Sequence, residues 1–251
     1  MSHGTSLRDR PAPGVADATE ALRQRRRRTR RRLAMRVLIG VLGVALIGTA
    51  GWLVGFSAVL AADQVTVTGT QLVTVKTVTQ TAAVPLGRPL ARVDLDVIAT
   101  RVKSLAPVKS VQVDRSWPHT VAITVTERTP AYVITGAAGY ATLVDDQGVA
   151  FATVTERPAD LVRASIPTDD PALLRSVAVV AQALPKPVRD KVDRIEASSP
   201  ESIRLKLNGH REVIWGSADQ SAVKGEVLAA LIKKKAAVYD VSGPANPTTR
   251  G

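Results

Sequence analysis

Cysteine is absent from the 251 residues, which removes disulfides, thiolate metal sites and cysteine nucleophiles at once. Aromatic side chains make up only 3% of the chain, too few for the stacking platform that single-stranded nucleic acid requires. The histidines are His3, His119 and His210; the first stands near the N-terminus and the others fall at predicted hairpin turns. They form no catalytic triad and no zinc-ligand spacing, and no Gly-rich phosphate loop with a following Lys-Ser or Lys-Thr occurs. These absences exclude the common catalytic and cofactor chemistries, and the sequence is read as non-enzymatic, with no cofactor, no nucleic acid and no small-molecule substrate. What remains is a chain 45% hydrophobic, long enough for one large or two small domains with buried cores.

Charge is missing from one long stretch, since nothing from Val37 to Ala62 is charged. As a helix at ~1.5 Å per residue that segment reaches roughly 39 Å, more than the ~30 Å hydrocarbon core of a bilayer. Its N-terminal flank holds most of the basicity: residues 1–36 contain eleven Arg against Asp9, Asp17 and Glu20, a surplus of eight out of the formal net charge of +12. Arg30, Arg31, Arg32 and Arg36 press against the apolar run while Asp63 follows it. The positive-inside rule therefore predicts a single-pass protein with a cytoplasmic N-terminus and an extracytoplasmic C-terminal remainder. A cleaved signal is the competing reading, given the small residues of Val59-Leu60-Ala61, but its apolar core is usually only ~7–15 residues. Gly51 and Gly55 have helix-dimer spacing, a common occurrence in membrane helices and read as incidental. The tail, residues 1–36, offers almost no large apolar side chain and is expected to be disordered. A polybasic stretch beside a span rests more simply on anionic lipid than on DNA.

Beyond Asp63 the periodicity becomes legible. Val65 and Val67 alternate with threonines before Gly69, the pattern of a short strand. A helix is predicted over residues 73–82. Another, capped by Asp94, places Leu95, Ile98, Val102 and Leu105 on one face. Val111 and Val113, then Val121, Ile123 and Val125, form a hairpin through Arg115-Ser116-Trp117-Pro118-His119. Further on, residues 132–135 and 141–144 are strand-like, Asp146-Gln147-Gly148 is turn chemistry, and a strand runs through Phe151. Asp170 as cap and Pro171 at the first position open a helix carrying Leu173, Leu174, Val177, Ala181 and Leu184, which Pro185 ends. Ile203, Leu205 and Leu207 alternate into Asn208-Gly209, and residues 213–215 pair back. Ser217 and Gln220 stand at capping-box spacing for a last helix. Residues 236–242 make a final strand, and Pro244 and Pro247 begin a flexible tail over residues 244–251. Trp117 and Trp215 are both read as packed against the sheets.

Taken together, Val65-Thr66-Val67-Thr68-Gly69, residues 90–94, Arg115-Ser116-Trp117-Pro118 and Val125-Thr126-Glu127-Arg128-Thr129-Pro130 resemble the POTRA domain of the bacterial cell-division family called FtsQ or DivIB. Residues 143–148, Val213-Ile214-Trp215-Gly216, Lys224 with Leu228 and Leu231, and Tyr239-Asp240-Val241 are similar to that family's second, β domain. The resemblance implies an α+β chain: a tail over 1–36, a single transmembrane helix over 37–62, a POTRA domain (β-α-α-β-β) over 63–130 and a mixed α+β β domain over 131–243. It implies a divisome scaffold at the septum, linking other bitopic division proteins of the FtsB and FtsL type and septal cell-wall synthesis proteins. It also implies that Val238, Tyr239, Asp240, Val241 and Ser242 receive a partner segment as an added strand, a role suited to a sheet edge; the alternative is that this strand is capped by the chain's own tail. One decoy points elsewhere. Ser221-Ala222-Val223-Lys224 satisfies the S-x-x-K of penicillin-interacting serine enzymes, the alternative function. Its companion S-D-N and K-T-G motifs are missing, and Lys224 is expected to pack its stem on the apolar side and snorkel its head.

Overall fold

The computed structural model describes residues 15–251 except 57, 137, 138 and 157, and of residues 15–32 and 58 it describes the backbone only. The chain forms two compact units. One comprises the described residues up to Asp63 with Leu86–Val93 and Trp117–His119; the other comprises the described residues of Gln64–Pro85, Asp94–Ser116 and Thr120–Gly251.

The first unit is built on helix α1, Val15–Phe56, of 42 residues. Within it Leu33–Phe56, 24 residues whose most apolar 18-residue window has a mean hydropathy of 2.3 and is not buried, is long and apolar enough to cross a membrane. Its polar Thr49 returns a hydrogen bond to the Ala45 carbonyl at 2.8 Å, so its hydroxyl is satisfied within the helix itself. Two boundaries differ from expectation. The helix already runs from Val15, where disorder was predicted: Ala, Leu, Glu, Gln and Arg are good helix formers, and extending an existing helix carries no nucleation cost. Residues 1–14 lie outside the described residues. At the other end α1 stops at Phe56, short of residue 62. Ala58–Leu60 makes a 3-10 turn, and Ala61 and Ala62 are buried. Ala62 donates to Arg88 O and accepts from Gly87 N, both at 2.8 Å, and Ala61 bridges Pro89.

The second unit opens with a three-stranded sheet of order β1-β3-β2, in which β1 is Gln64–Thr68, β2 Val108–Ser116 and β3 Thr120–Glu127. The β2–β3 pair is the predicted hairpin, and β1 lies parallel to β3, Val65 opposite Val121. Between β1 and β2 come α2, Val75–Ala82, capped by Thr74 rather than starting at 73, and α3, Leu95–Lys103, whose cap Asp94 accepts from Asp96 N and Val97 N. Val78, Ala82, Ile98 and Val102 bury one face of these helices, and Val121, Ile123 and Val125 bury one face of β3. At the end of β3 the Glu127 carboxylate accepts from the backbone N–H groups of Gln71, Leu72 and Val73, which stitches the β1–α2 loop to the sheet.

A nine-stranded mixed sheet follows, its order β12-β11-β10-β9-β8-β7-β4-β5-β6. The predicted strands are β4 Pro130–Thr135, β5 Ala141–Asp145, β6 Ala150–Val154, β9 Ile203–Leu207, β10 Arg211–Gly216 and β11 Val238–Asp240. Three more, β7 Val162–Ser165, β8 Val192–Glu196 and β12 Thr248–Arg250, were not read from the sequence. Helix α4, Pro171–Ala183, has Asp170 as its cap as predicted; a short α5, Lys186–Arg189, follows Pro185. They carry the chain from β7 to its parallel neighbour β8, and α6, Ser221–Leu231, carries it from β10 to the parallel β11. Leu173, Val177, Ala181, Leu184 and Leu228 close the main core against Tyr132, Ile195, Leu205, Val213 and Trp215. Val133, Leu143 and Phe151 form a smaller apolar cluster, on the opposite face by strand alternation. In the β5–β6 turn Gly148 has φ +79°, and a Cβ there would lie 2.5 Å from Arg175 N, so only glycine fits.

Candidate functional site

The end of the large sheet is assembled by the β10–α6–β11 crossover. Strand β10 breaks register between Ile214 and Gly216, and Gly216 turns the chain at φ +75°. The expected capping box does not form. Gln220 sits in the left-handed region and makes no side-chain cap; Ser217 instead bonds Asp219, through its N–H at 3.3 Å and its carboxylate at 3.1 Å. The helix start is held from below by Lys224. Its ammonium donates to the carbonyls of Trp215 at 3.1 Å and Ser217 at 2.9 Å. At 2% exposure this Lys does not snorkel. Burial pushes its pKa below the ordinary lysine range, with Asp219 acting the other way.

Ser221 is bound up in the same structure. Its hydroxyl donates to Ala218 O at 2.7 Å and accepts from the buried Trp215 indole at 3.2 Å. A serine nucleophile needs a base on its hydroxyl; here Lys224 spends its hydrogen bonds on backbone carbonyls, and the S-x-x-K pattern describes a packed turn. Among the described residues no group of His, Asp and Glu is arranged to hold a metal. A cleft of about 590 Å³ is lined by Lys109, Asp146, Asp160 and Arg189 among others. Within it Lys109 and Asp146 form an ion pair at 3.1 Å, and Arg189 donates to the Leu184 carbonyl at 3.0 Å.

Strand β11 runs beside β10, tied by Glu212 N to Ala237 O and Val241 N to Ile214 O. Tyr239 and Val241 are fully buried in the core, and the Tyr239 hydroxyl donates to Lys234 O at 2.6 Å. Of the five residues expected at a partner edge, then, two face inward. Val238 and Asp240 are half-buried and Ser242 is exposed. Asp240 accepts from both Ser242 N and Ser242 Oγ, which ends the regular strand at 240 rather than 242.

The outer edge of β11 is occupied by the chain itself. Residues Thr248–Arg250, in the segment expected to be a flexible tail, pair antiparallel with it: Val238 opposite Arg250, Tyr239 opposite Thr249, Asp240 opposite Thr248. Ala237 N adds a bond to Arg250 O at 2.8 Å. All three residues of β12 are exposed, so this cover is backbone pairing without core packing. The adjacent strands carry a ladder of ion pairs, in which Glu212 meets Arg204 at 3.0 Å and Lys206 at 3.2 Å. Burial acts to raise the Glu212 pKa, but these two cations outweigh it and hold the carboxyl below its usual range. Of the residues expected to set topology, Arg36 stands exposed on α1, and Arg30, Arg31 and Arg32 lie on its helical backbone.

Residues 60–128 match the family model described as "POTRA domain, FtsQ-type", and residues 131–242 match "Cell division protein FtsQ/DivIB, C-terminal". The chain belongs to the FtsQ/DivIB family. Its relatives named "Cell division protein FtsQ" include one from Streptomyces bingchenggensis, 39% identical over 88% of each chain. Another, from Streptomyces venezuelae, is 36% identical over 99% of this chain and 96% of its own. One from Mycolicibacterium smegmatis is 36% identical over 96% of this chain and 71% of its own. FtsQ membership gives the chain a role in cell division, and its N-terminal apolar helix fits a single-pass membrane protein. The β12 cover lies beyond the last residue that the C-terminal family model matches. The only signal for it in the sequence is the β-branched pair Thr248-Thr249 after Pro247.

Proposed function

We propose that this FtsQ-family chain is a non-enzymatic scaffold of the division machinery, anchored by one span with its N-terminus in the cytoplasm. Its POTRA and β domains, residues 63–130 and 131–243, link bitopic proteins of the FtsB and FtsL type with septal cell-wall synthesis proteins outside the membrane. The observation that carries this reading is strand β11. It lies one strand from the end of a nine-stranded sheet, and its outward main-chain groups are met only by a short exposed segment of the same chain. A strand from another protein can replace that segment without disturbing the core, and strand addition of this kind supplies main-chain hydrogen bonds for affinity. Val238, Asp240 and Ser242 then meet the incoming side chains, while Tyr239 and Val241 hold β11 in register from the core side.

The test uses the full chain in membranes of its own host, with a photo-crosslinking residue at Val238 or Asp240 and a control at Val223, which is exposed on α6. The expected result is an adduct with an FtsB-type protein from 238 and 240 and none from 223. Septal localisation with no adduct from either edge position would place the partner elsewhere.

A further inference from the structure

The unit built on α1 holds more than the span. The Arg92 guanidinium lies 3.8 Å from the centroid of the Phe56 ring, and that ring stacks on Trp52 with centroids 6.4 Å apart. Phe56 is the last residue of α1, so this cation is fixed at the level where the apolar helix ends. With Arg36 at the inner boundary, the helix between it and Phe56 covers about 30 Å, the thickness of the hydrocarbon core. Arg92 then stands in the outer headgroup layer. Two other segments are tied by backbone contacts to the residues that follow α1: residues 87–89 through Ala61 and Ala62, and the turn Trp117–His119 through the bond from Asp63 N to His119 O at 2.8 Å.

These segments present a particular set of side chains. Leu86 is 59% exposed and Trp117 49% exposed, the latter against the expectation that it packs on the sheet. Arg88 and Arg92 are exposed and make no ion pair among the described residues; the one acid in this part of the unit is Asp63. A scattered exposed leucine needs no explanation. A tryptophan, a leucine and two unpaired arginines around the mouth of a span have the composition of a membrane interface, where indole sits at headgroup level and arginine meets anionic lipid.

We propose that Leu86–Val93 and Trp117–His119 form a collar seated in the outer headgroup layer, with Leu86 and Trp117 at the acyl boundary and Arg88 and Arg92 on anionic lipid phosphates. This rests on α1 being a membrane span. The collar restrains the chain just where it leaves the bilayer, so that the protein is held at its base by more than a single helix.

The absence of cysteine makes the test direct. Single-cysteine variants Ala91→Cys (collar), Val44→Cys (mid-span) and Val223→Cys (control) of the full chain are spin-labelled in vesicles of phosphatidylglycerol and phosphatidylethanolamine, and relaxation by oxygen is compared with relaxation by an aqueous nickel chelate. The label at 91 is expected to be shielded from nickel several-fold relative to 223. Replacing phosphatidylglycerol by phosphatidylcholine, or adding Arg88→Glu with Arg92→Glu, should reduce that shielding, with circular dichroism checking that the variant is folded. A label at 91 as open to nickel as that at 223 overturns the collar. Shielding that ignores both lipid charge and arginine reversal overturns the phosphate contacts. A label at 44 outside the hydrocarbon overturns the span itself, a failure separate from the other two.

Discussion

Glu127 shows how one side chain can organise a loop. Its carboxylate takes the N–H groups of Leu72 at 2.8 Å and of Gln71 and Val73 at 2.9 Å. Burial alone would raise its pKa, but the three donors outweigh burial and bring it below the ordinary 4.5. A carboxyl whose folded pKa is depressed contributes stability that is fully present above its unfolded pKa and is lost as pH falls through the folded one. Glu127→Gln should therefore cost about 1 kcal/mol at neutral pH, with the deficit shrinking as melts are repeated below pH about 4.5. A deficit that stays constant with pH would mean that the negative charge contributes nothing. Ser221 permits a second test. Ser221→Ala leaves the buried Trp215 indole without its acceptor, so Tm should fall, at a cost of roughly 1–3 kcal/mol. Division in cells carrying only this variant should proceed once its abundance matches wild type. Failure at matched abundance would restore a catalytic role for the hydroxyl.

Among the elements, those with strong local signals were legible in the sequence. Asp170-Pro171 and Asp94 cap their helices as read, and Asn208-Gly209 joins β9 to β10. Elements whose order comes from neighbours were not. Val162–Ser165 and Val192–Glu196 contain Arg163, Asp193, Arg194 and Glu196, charges that obscure the alternation; they form strands because each has a partner waiting on either side. The capping box failed for the opposite reason. The Lys224 bonds to Trp215 O and Ser217 O fix the turn before α6, and tertiary contact overrode a local motif. Strand β12 is the element with the clearest functional consequence. Ending the chain after Gly243 removes it and frees the edge of β11. A few backbone hydrogen bonds at ~1 kcal/mol net each amount to roughly 2–3 kcal/mol, on the order of a 30- to 150-fold change in equilibrium, so the shortened chain should capture an FtsB-type partner at least about tenfold more tightly. Equal or weaker capture would show that β12 does not compete with a partner.

For the molecule as a whole, the span, the POTRA pattern and the family were readable because each is spread over many residues. Whether the edge proposed for a partner is free or covered was not readable, because it depends on where the last residues fold back. Topology remains open to a direct measurement. A reporter that is active only outside the cytoplasm, fused after Gly251, should be active, and the mature protein should retain Arg30 to Arg32; an N-terminus at Ala62 or Asp63 would rule out a retained anchor. The strand order of the large sheet also bears on how the chain is made. From β7 onward, neighbours follow synthesis: β7, β8, β9, β10, β11 and β12 are laid side by side in chain order. Each strand therefore emerges to find its template already formed, and none has to wait for a segment yet to be translated. The growing margin of the sheet is always the youngest part of the chain. Among the strands only β12 is made after the surface proposed for partners, when everything else that supports that surface is already in place.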